Sequence, residues 1–120
     1  MNRRLDFTPE GAKKILAGIK TETRRRIYRP YTWFKPGDTF AVDSESFRIT
    51  AIDRQRLGDI TEEEVAREGF VRGGEFVDTW LKLHLSYHPL EEVLVIKFEP
   101  AGEQTKAMNR SLEITPSLLA

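Results

Sequence analysis

The chain has 120 residues, 39% hydrophobic and 32% charged, which is enough for one domain with a single core and is ordinary for a soluble globule. Zero cysteines exclude a disulfide frame and thiolate chemistry, and with only His84 and His88 as nitrogen ligands a metal centre is not expected. Formal net charge is zero, but residues 1–37 carry ten basic groups against three acidic ones, so the remainder carries the opposite surplus. That asymmetry has two readings, a phosphate-bearing partner or pairing of the two halves with each other in the fold.

No apolar run approaches the roughly 20 residues of a spanning helix, and Met1 to Asp6 lacks the apolar stretch of a signal peptide, so the expected location is cytoplasmic with no membrane partner. In chain order, residues 3–7 alternate as a short strand with Leu5 and Phe7 on one face. Thr8-Pro9 reads as a cap and a first helical residue, and Ala12, Ile15, Leu16 and Ile19 give helical spacing over about 9–17, with Gly18 as terminator. Extended structure follows over 21–27, then an aromatic, proline-interrupted loop at 28–34.

Lys35-Pro36-Gly37-Asp38 has the residues of a type II turn, and 39–42 is the next strand. After a polar break at Asp43-Ser44-Glu45, residues 47–57 form a long strand whose spacing slips at Ile52, the mark of a bulge. Thr61 and Glu64 occupy the two capping-box positions of a short helix that stops at Gly69. Residues 72–74 read as a flexible link and 75–85 as a second helix with Phe76, Trp80 and Leu83 on one side. The run 92–98 is the most apolar strand and should be central in its sheet. Strands interspersed with short helices predict an α+β small β-barrel with short peripheral helices, and beyond Pro100 the composition becomes that of a tail.

The chemistry concentrates in Gly18 to Arg26. Arg24, Arg25 and Arg26 close to Lys20 would lower its pKa and make it a general base, and Thr23 is a hydroxyl it could activate. A regular strand points residues 20 and 23 to opposite faces, so their cooperation requires a turn of the backbone between them. A lone lysine at a helix end and a threonine in a strand are also ordinary surface residues. Glu68 sits in the last turn of its helix, the unfavourable end of the dipole, at a cost of about 0.3–1 kcal/mol. It therefore needs a cation, either Arg67 or Arg72 nearby or the Lys20 and arginine cluster brought over by the fold. The arginines can fork onto phosphates, and Tyr28, Tyr31, Trp33 and Phe34 offer faces for base stacking.

Gly18-x-Lys20-x-x-Thr23-x-Arg25, then Phe34-Lys35-Pro36-Gly37-Asp38, Asp59-Ile60-x-x-Glu63, Ala66-x-Glu68-Gly69-Phe70, Phe76, Trp80 and Val93-x-Val95-Ile96-x-Phe98-Glu99 together resemble the ASCH domain family of PUA-like folds. The resemblance implies an ASCH/PUA-like domain over residues 1–99 with a C-terminal tail at 100–120. It also implies a cleft for a nucleoside, nucleotide or RNA, and no cofactor. Some bacterial members of that family are amidohydrolases that deacetylate N4-acetylcytidine with a lysine proton acceptor, a threonine nucleophile and a glutamate proton donor. Carried over by motif, these roles fall on Lys20, Thr23 and Glu68, with Thr21, Arg24, Arg25, Arg26, Tyr28 and Trp33 as expected ligand contacts. Other members are ribonucleases, and a non-catalytic RNA-binding module is the alternative. The chain departs from the short amidohydrolases in a shorter interval from Lys20 to Glu68, a Trp80-bearing helix and the tail.

Overall fold

Among the described residues the chain forms four antiparallel strands and three short α-helices, β1 (Glu22–Arg26), β2 (Thr39–Val42), β3 (Glu45–Arg56) and β4 (Glu92–Pro100) with α1 (Pro9–Leu16), α2 (Glu62–Arg67) and α3 (Gly73–His84). The structure is a computed structural model and describes residues 2–101. Strand order is β1-β4-β3-β2, a curled half-barrel in which β1 leaves one edge open. Among the described residues, no helix is long and apolar enough to cross a membrane.

β4 is central, as its apolar run predicts, and its alternation feeds two cores. Leu94, Ile96 and Phe98 join Leu5, Ile15, Phe34, Phe40, Val42, Phe47 and Ile49 on the α1 side. Val93 joins Leu57, Phe76 and Trp80 on the α3 side. A strand covered on both faces needs apolar residues at consecutive positions, which is the composition of Val93 to Ile96.

Local chemistry explains most boundaries. Thr8 Oγ1 accepts the Gly11 N–H at 3.1 Å to cap α1, and Gly18 takes φ +77 just beyond it. Gly37 sits at φ +94 in its turn, with the Asp38 N–H donating to Lys35 O at 3.0 Å. Asp43 and Ser44, at φ 46 and 71, form a tight hairpin, so the polar break is two residues long and Glu45 already belongs to β3. The register shift in β3 falls between Ile49 and Ala51, slightly before the expected slip at Ile52. Thr61 and Glu64 form the expected capping box of α2.

Three sequence expectations change. Residues 3–7 are not a strand; a single parallel bridge from Asn2 to Thr39 and the Arg3 N–H to Thr39 O bond hold the segment beside β2, and pairing goes no further along it. Gly73 and Gly74 belong to α3, since the Glu75 carboxylate accepts the Arg72 N–H at 3.0 Å and starts the helix earlier. Leu16 and Leu83 are exposed although they fit the apolar spacing, because each short helix buries only a narrow stripe, and Ile19 is exposed because α1 ends at Leu16 and the chain turns at Gly18 before it. The tail from residue 102 onward lies outside the described residues.

Candidate functional site

At the open edge of β1, between α1, the end of α2 and α3, lies a cavity of about 290 Å³. Phe7, Tyr28, Tyr31, Phe70, Phe76 and Trp80 supply its aromatic walls, and Lys20, Thr23, Arg24, Arg25 and Glu68 its polar floor. A small concave site with apolar walls and a few convergent polar groups is the usual form of a small-ligand pocket.

The backbone turn that Lys20 and Thr23 need is present. After Gly18 the Ile19 and Lys20 N–H groups both donate to Lys14 O, and the Thr21 N–H donates to Arg67 O at 2.8 Å, closing the C-terminal end of α2. β1 begins only at Glu22, so Lys20 precedes the strand and is released from its alternation. Its Nζ donates to Glu68 Oε1 at 2.6 Å and to Glu68 O at 3.1 Å. The cation demanded by Glu68 at the negative helix end is thus Lys20, joined by Arg24 at 3.0 Å from Oε2.

Both members of this ion pair are buried, with side-chain exposures of 9% and 4%. Burial is the largest influence on the Lys20 amine and lowers its pKa; Glu68 pulls it back up, and Arg25 and Arg24 lower it slightly further. Arg25 and Arg24 of the arginine cluster therefore contribute, as expected, but desolvation leads.

Register explains the division of the arginines. Glu22, Arg24 and Arg26 lie opposite Lys97, Val95 and Val93, and so face α2 and α3; Thr23 and Arg25 lie opposite Ile96 and Leu94, on the α1 side. The Arg24 side chain has 0% exposure and binds Glu22 Oε2 at 2.8 Å, Glu64 Oε2 at 2.7 Å, Glu68 Oε2 at 3.0 Å and Gln55 Oε1 at 2.9 Å. Glu22, equally buried, also accepts from Arg67 Nε at 2.7 Å.

Arg25 is half-buried over the Phe7 and Tyr31 rings, at 4.8 and 5.4 Å, and donates to Tyr31 Oη and Asp6 O. No carboxylate lies within ion-pair distance of Arg25 among the described residues. Its Nε also donates to Thr23 Oγ1 at 3.3 Å.

Of the residues expected at the site, Lys20, Thr23, Glu68, Arg24, Arg25 and Tyr28 line the cavity; Thr21, Arg26 and Trp33 do not. Thr21 is exposed at the α2 junction, Arg26 pairs with Glu91 at 3.1 Å and bonds Ser86, and Trp33 is 51% exposed near Arg29. Glu22 and Gln55 enter the network with no role expected of them, Glu64 with only that of a helix cap, and Arg67, expected as a possible partner of Glu68, binds Glu22 instead. The signal available for Glu64 was spacing: it stands four residues before Glu68, on the side of α2 that meets Arg24. Trp80 also lines the cavity, stacked near His84 at 4.0 Å between centroids, and its buried indole N–H has no hydrogen-bond partner among the described residues.

No family model and no curated protein matches the sequence. Solved structures do. Protein PH0355 is 20% identical, with 83% of this chain and 99% of that one covered at a TM-score of 0.68. An ASCH domain from Lactobacillus crispatus is 15% identical over 82% of this chain and 79% of its own, at 0.63. Protein PF0455 from Pyrococcus furiosus is 18% identical over 84% and 98%, at 0.61. At these identities the likeness is one of architecture, and the curled sheet with its three short helices is an ASCH-type, PUA-like fold.

Proposed function

We infer that the cavity binds the base of a nucleoside, nucleotide or RNA, and that Lys20, Thr23 and Glu68 hydrolyse the exocyclic amide of N4-acetylcytidine in it. One observation carries the reading: a buried lysine–glutamate pair at 2.6 Å shares an aromatic-walled cavity with a buried threonine. The reaction needs Lys20 as free amine and Glu68 as a proton donor, and burial of the Lys20 amine, which lowers its pKa, supports the first of these.

In that form Lys20 takes the Thr23 hydroxyl proton as Oγ1 attacks the acetyl carbonyl, and Glu68 gives its proton to N4 as the C–N bond breaks. Cytidine leaves and an acetyl ester remains on Thr23. Water then cleaves that ester to acetate and restores the hydroxyl. The proton freed with acetate goes to solvent; the first step leaves Lys20 as ammonium and Glu68 as carboxylate, and proton transfer from Lys20 to Glu68 resets the pair.

A second observation favours a binding module without chemistry. The Thr23 hydroxyl bonds Arg25, and no hydrogen bond joins it to Lys20. The two readings separate on incubation with N4-acetylcytidine, following cytidine release by wild type and by Lys20→Ala, Thr23→Ala and Glu68→Ala. Turnover by wild type that falls at least about 100-fold in each variant is the expected result. Absence of wild-type turnover refutes the hydrolase, and salt-sensitive RNA affinity lost in Arg25→Ala would then identify the binding module.

A further inference from the structure

We propose that Arg24 is a positioning residue that sets the protonation of Lys20 by holding one oxygen of Glu68, and that Glu64 tunes this hold from the far side of the guanidinium. The inference rests on the proposed use of Lys20 as a base. Its footing is the way Glu68 is shared: Oε1 takes Lys20 at 2.6 Å and Oε2 takes Arg24 at 3.0 Å, so each oxygen has one cation and the carboxylate cannot turn.

The surroundings make Arg24 the hub. Its guanidinium reaches Glu22 beside it on β1, Glu64 and Glu68 on α2 and Gln55 on β3. Arg67 covers the other oxygen of Glu22. Lys97, opposite Glu22 in the ladder, turns instead to Asp53 at 3.4 Å. Three carboxylates therefore meet Lys20, Arg24 and Arg67, with Arg25 on β1 and Lys14 on α1 as further cations lining the cavity with Lys20, in a region where Arg24 has no solvent to fall back on. An arginine fork can serve several acceptors at fixed angles; a lysine ammonium cannot reproduce that geometry.

The sign of each perturbation follows. Without the guanidinium, Glu22 keeps only Arg67, Glu64 only Gln55 and its capping contact with Thr61, and Glu68 only Lys20, so the net negative charge around Lys20 rises and Glu68 can offer it both oxygens. Lys20 then holds its proton more tightly. Removing the Glu64 charge does the reverse, because Arg24 leans more fully on Glu68 and leaves less negative charge for Lys20.

The test follows the Lys20 Cε resonance through a pH titration of protein carrying ¹³C-lysine, assigned with Lys20→Arg, in wild type, Arg24→Gln, Arg24→Lys and Glu64→Gln. Arg24→Gln should raise the Lys20 midpoint by about 1 to 3, Arg24→Lys by less, and Glu64→Gln should lower it. If Arg24→Gln does not fold, the opposite shifts of Arg24→Lys and Glu64→Gln decide. Midpoints unchanged in folded Arg24→Lys and Glu64→Gln overturn the proposal, since a merely structural arginine would alter stability alone.

On N4-acetylcytidine, Arg24→Lys should lower kcat at neutral pH and move the alkaline-rising limb of the rate upward, with KM little changed. The resonance shifts do not depend on turnover. Shifts in a protein without turnover uphold Arg24 and refute the reaction, whereas turnover with unmoved midpoints does the reverse.

Discussion

The Lys20–Glu68 pair can be weighed by a double-mutant cycle of Lys20→Met, Glu68→Gln and the double variant. At 2.6 Å and an effective dielectric near 20, the direct attraction is on the order of 4 kcal/mol or more, but removing both groups from water takes back much of it. With exposures of 9% and 4%, solvent screening does little to weaken the pair. Breaking a buried pair on one side typically costs about 3–5 kcal/mol. Lys20→Met should fall at the low end, because Glu68 keeps Arg24. The double variant should cost about 2–4 kcal/mol less than the sum of the singles. In a domain of this size each kcal/mol is about 4–8 °C, so the single variants should melt more than about 10 °C below wild type.

Urea unfolding of the four proteins gives the coupling directly. The pH dependence supplies a second readout. Burial makes Lys20 bind its proton more weakly folded than unfolded, so between its lowered folded pKa and the ordinary lysine value the unfolded chain carries the extra proton. Wild-type stability should therefore rise with pH relative to Lys20→Met across that window, and the gain should be lost as pH falls through the folded value. A coupling below about 1 kcal/mol, together with parallel pH curves, would refute both the pairing and its burial.

Two further substitutions test how the site is held. Gly69 has φ +96, and an added Cβ would stand 2.9 Å from Lys14 Cδ and 3.4 Å from Lys20 Cβ, so Gly69→Ala should destabilise by about 1–3 kcal/mol in urea unfolding. Gly73→Ala, with open space at its helical position, should be neutral or stabilise by up to about 1 kcal/mol; equal losses at both glycines would contradict the conformational argument. Thr61→Ala removes the acceptor of the Glu64 N–H at 3.2 Å and should cost about 1 kcal/mol by thermal unfolding. No change in Tm would show that the capping box contributes nothing.

The parts of the fold that could be read in the sequence are those fixed by short-range chemistry. Thr8-Pro9, Thr61 with Glu64, and Gly37 each determine their own backbone within a few residues, and the apolar run of β4 requires cover on both faces whatever surrounds it. Residues 3–7 have the alternation of a strand, yet only one bridge forms, because pairing depends on where β2 ends up and not on local pattern. Gly73 and Gly74 are poor helix formers carried by a side-chain cap from Glu75. At the site, the misplaced charge of Glu68 called for a cation but left a neighbouring Arg67 or Arg72 and the distant Lys20 and arginine cluster both open, and only the fold selects Lys20 and Arg24.

Arg24 shows most clearly what the sequence withheld. Adjacent arginines in a strand alternate between faces, so a run of three cannot act as one patch: Arg24 goes inward to three carboxylates, Arg26 to Glu91, and Arg25 to the cavity with no acidic partner within ion-pair distance among the described residues. Much of the basic surplus of residues 1–37 is spent in this way within the fold, with Arg3 on Asp38 and Lys20 on Glu68 as further examples. A groove that tracks a phosphate backbone needs a row of uncommitted cations. With Arg25 and Lys14 as the lining cations outside any ion pair among the described residues, beside aromatic walls and the buried Lys20–Glu68 pair, the cavity offers too short a row for a strand and is better suited to a single base, in keeping with the function we propose.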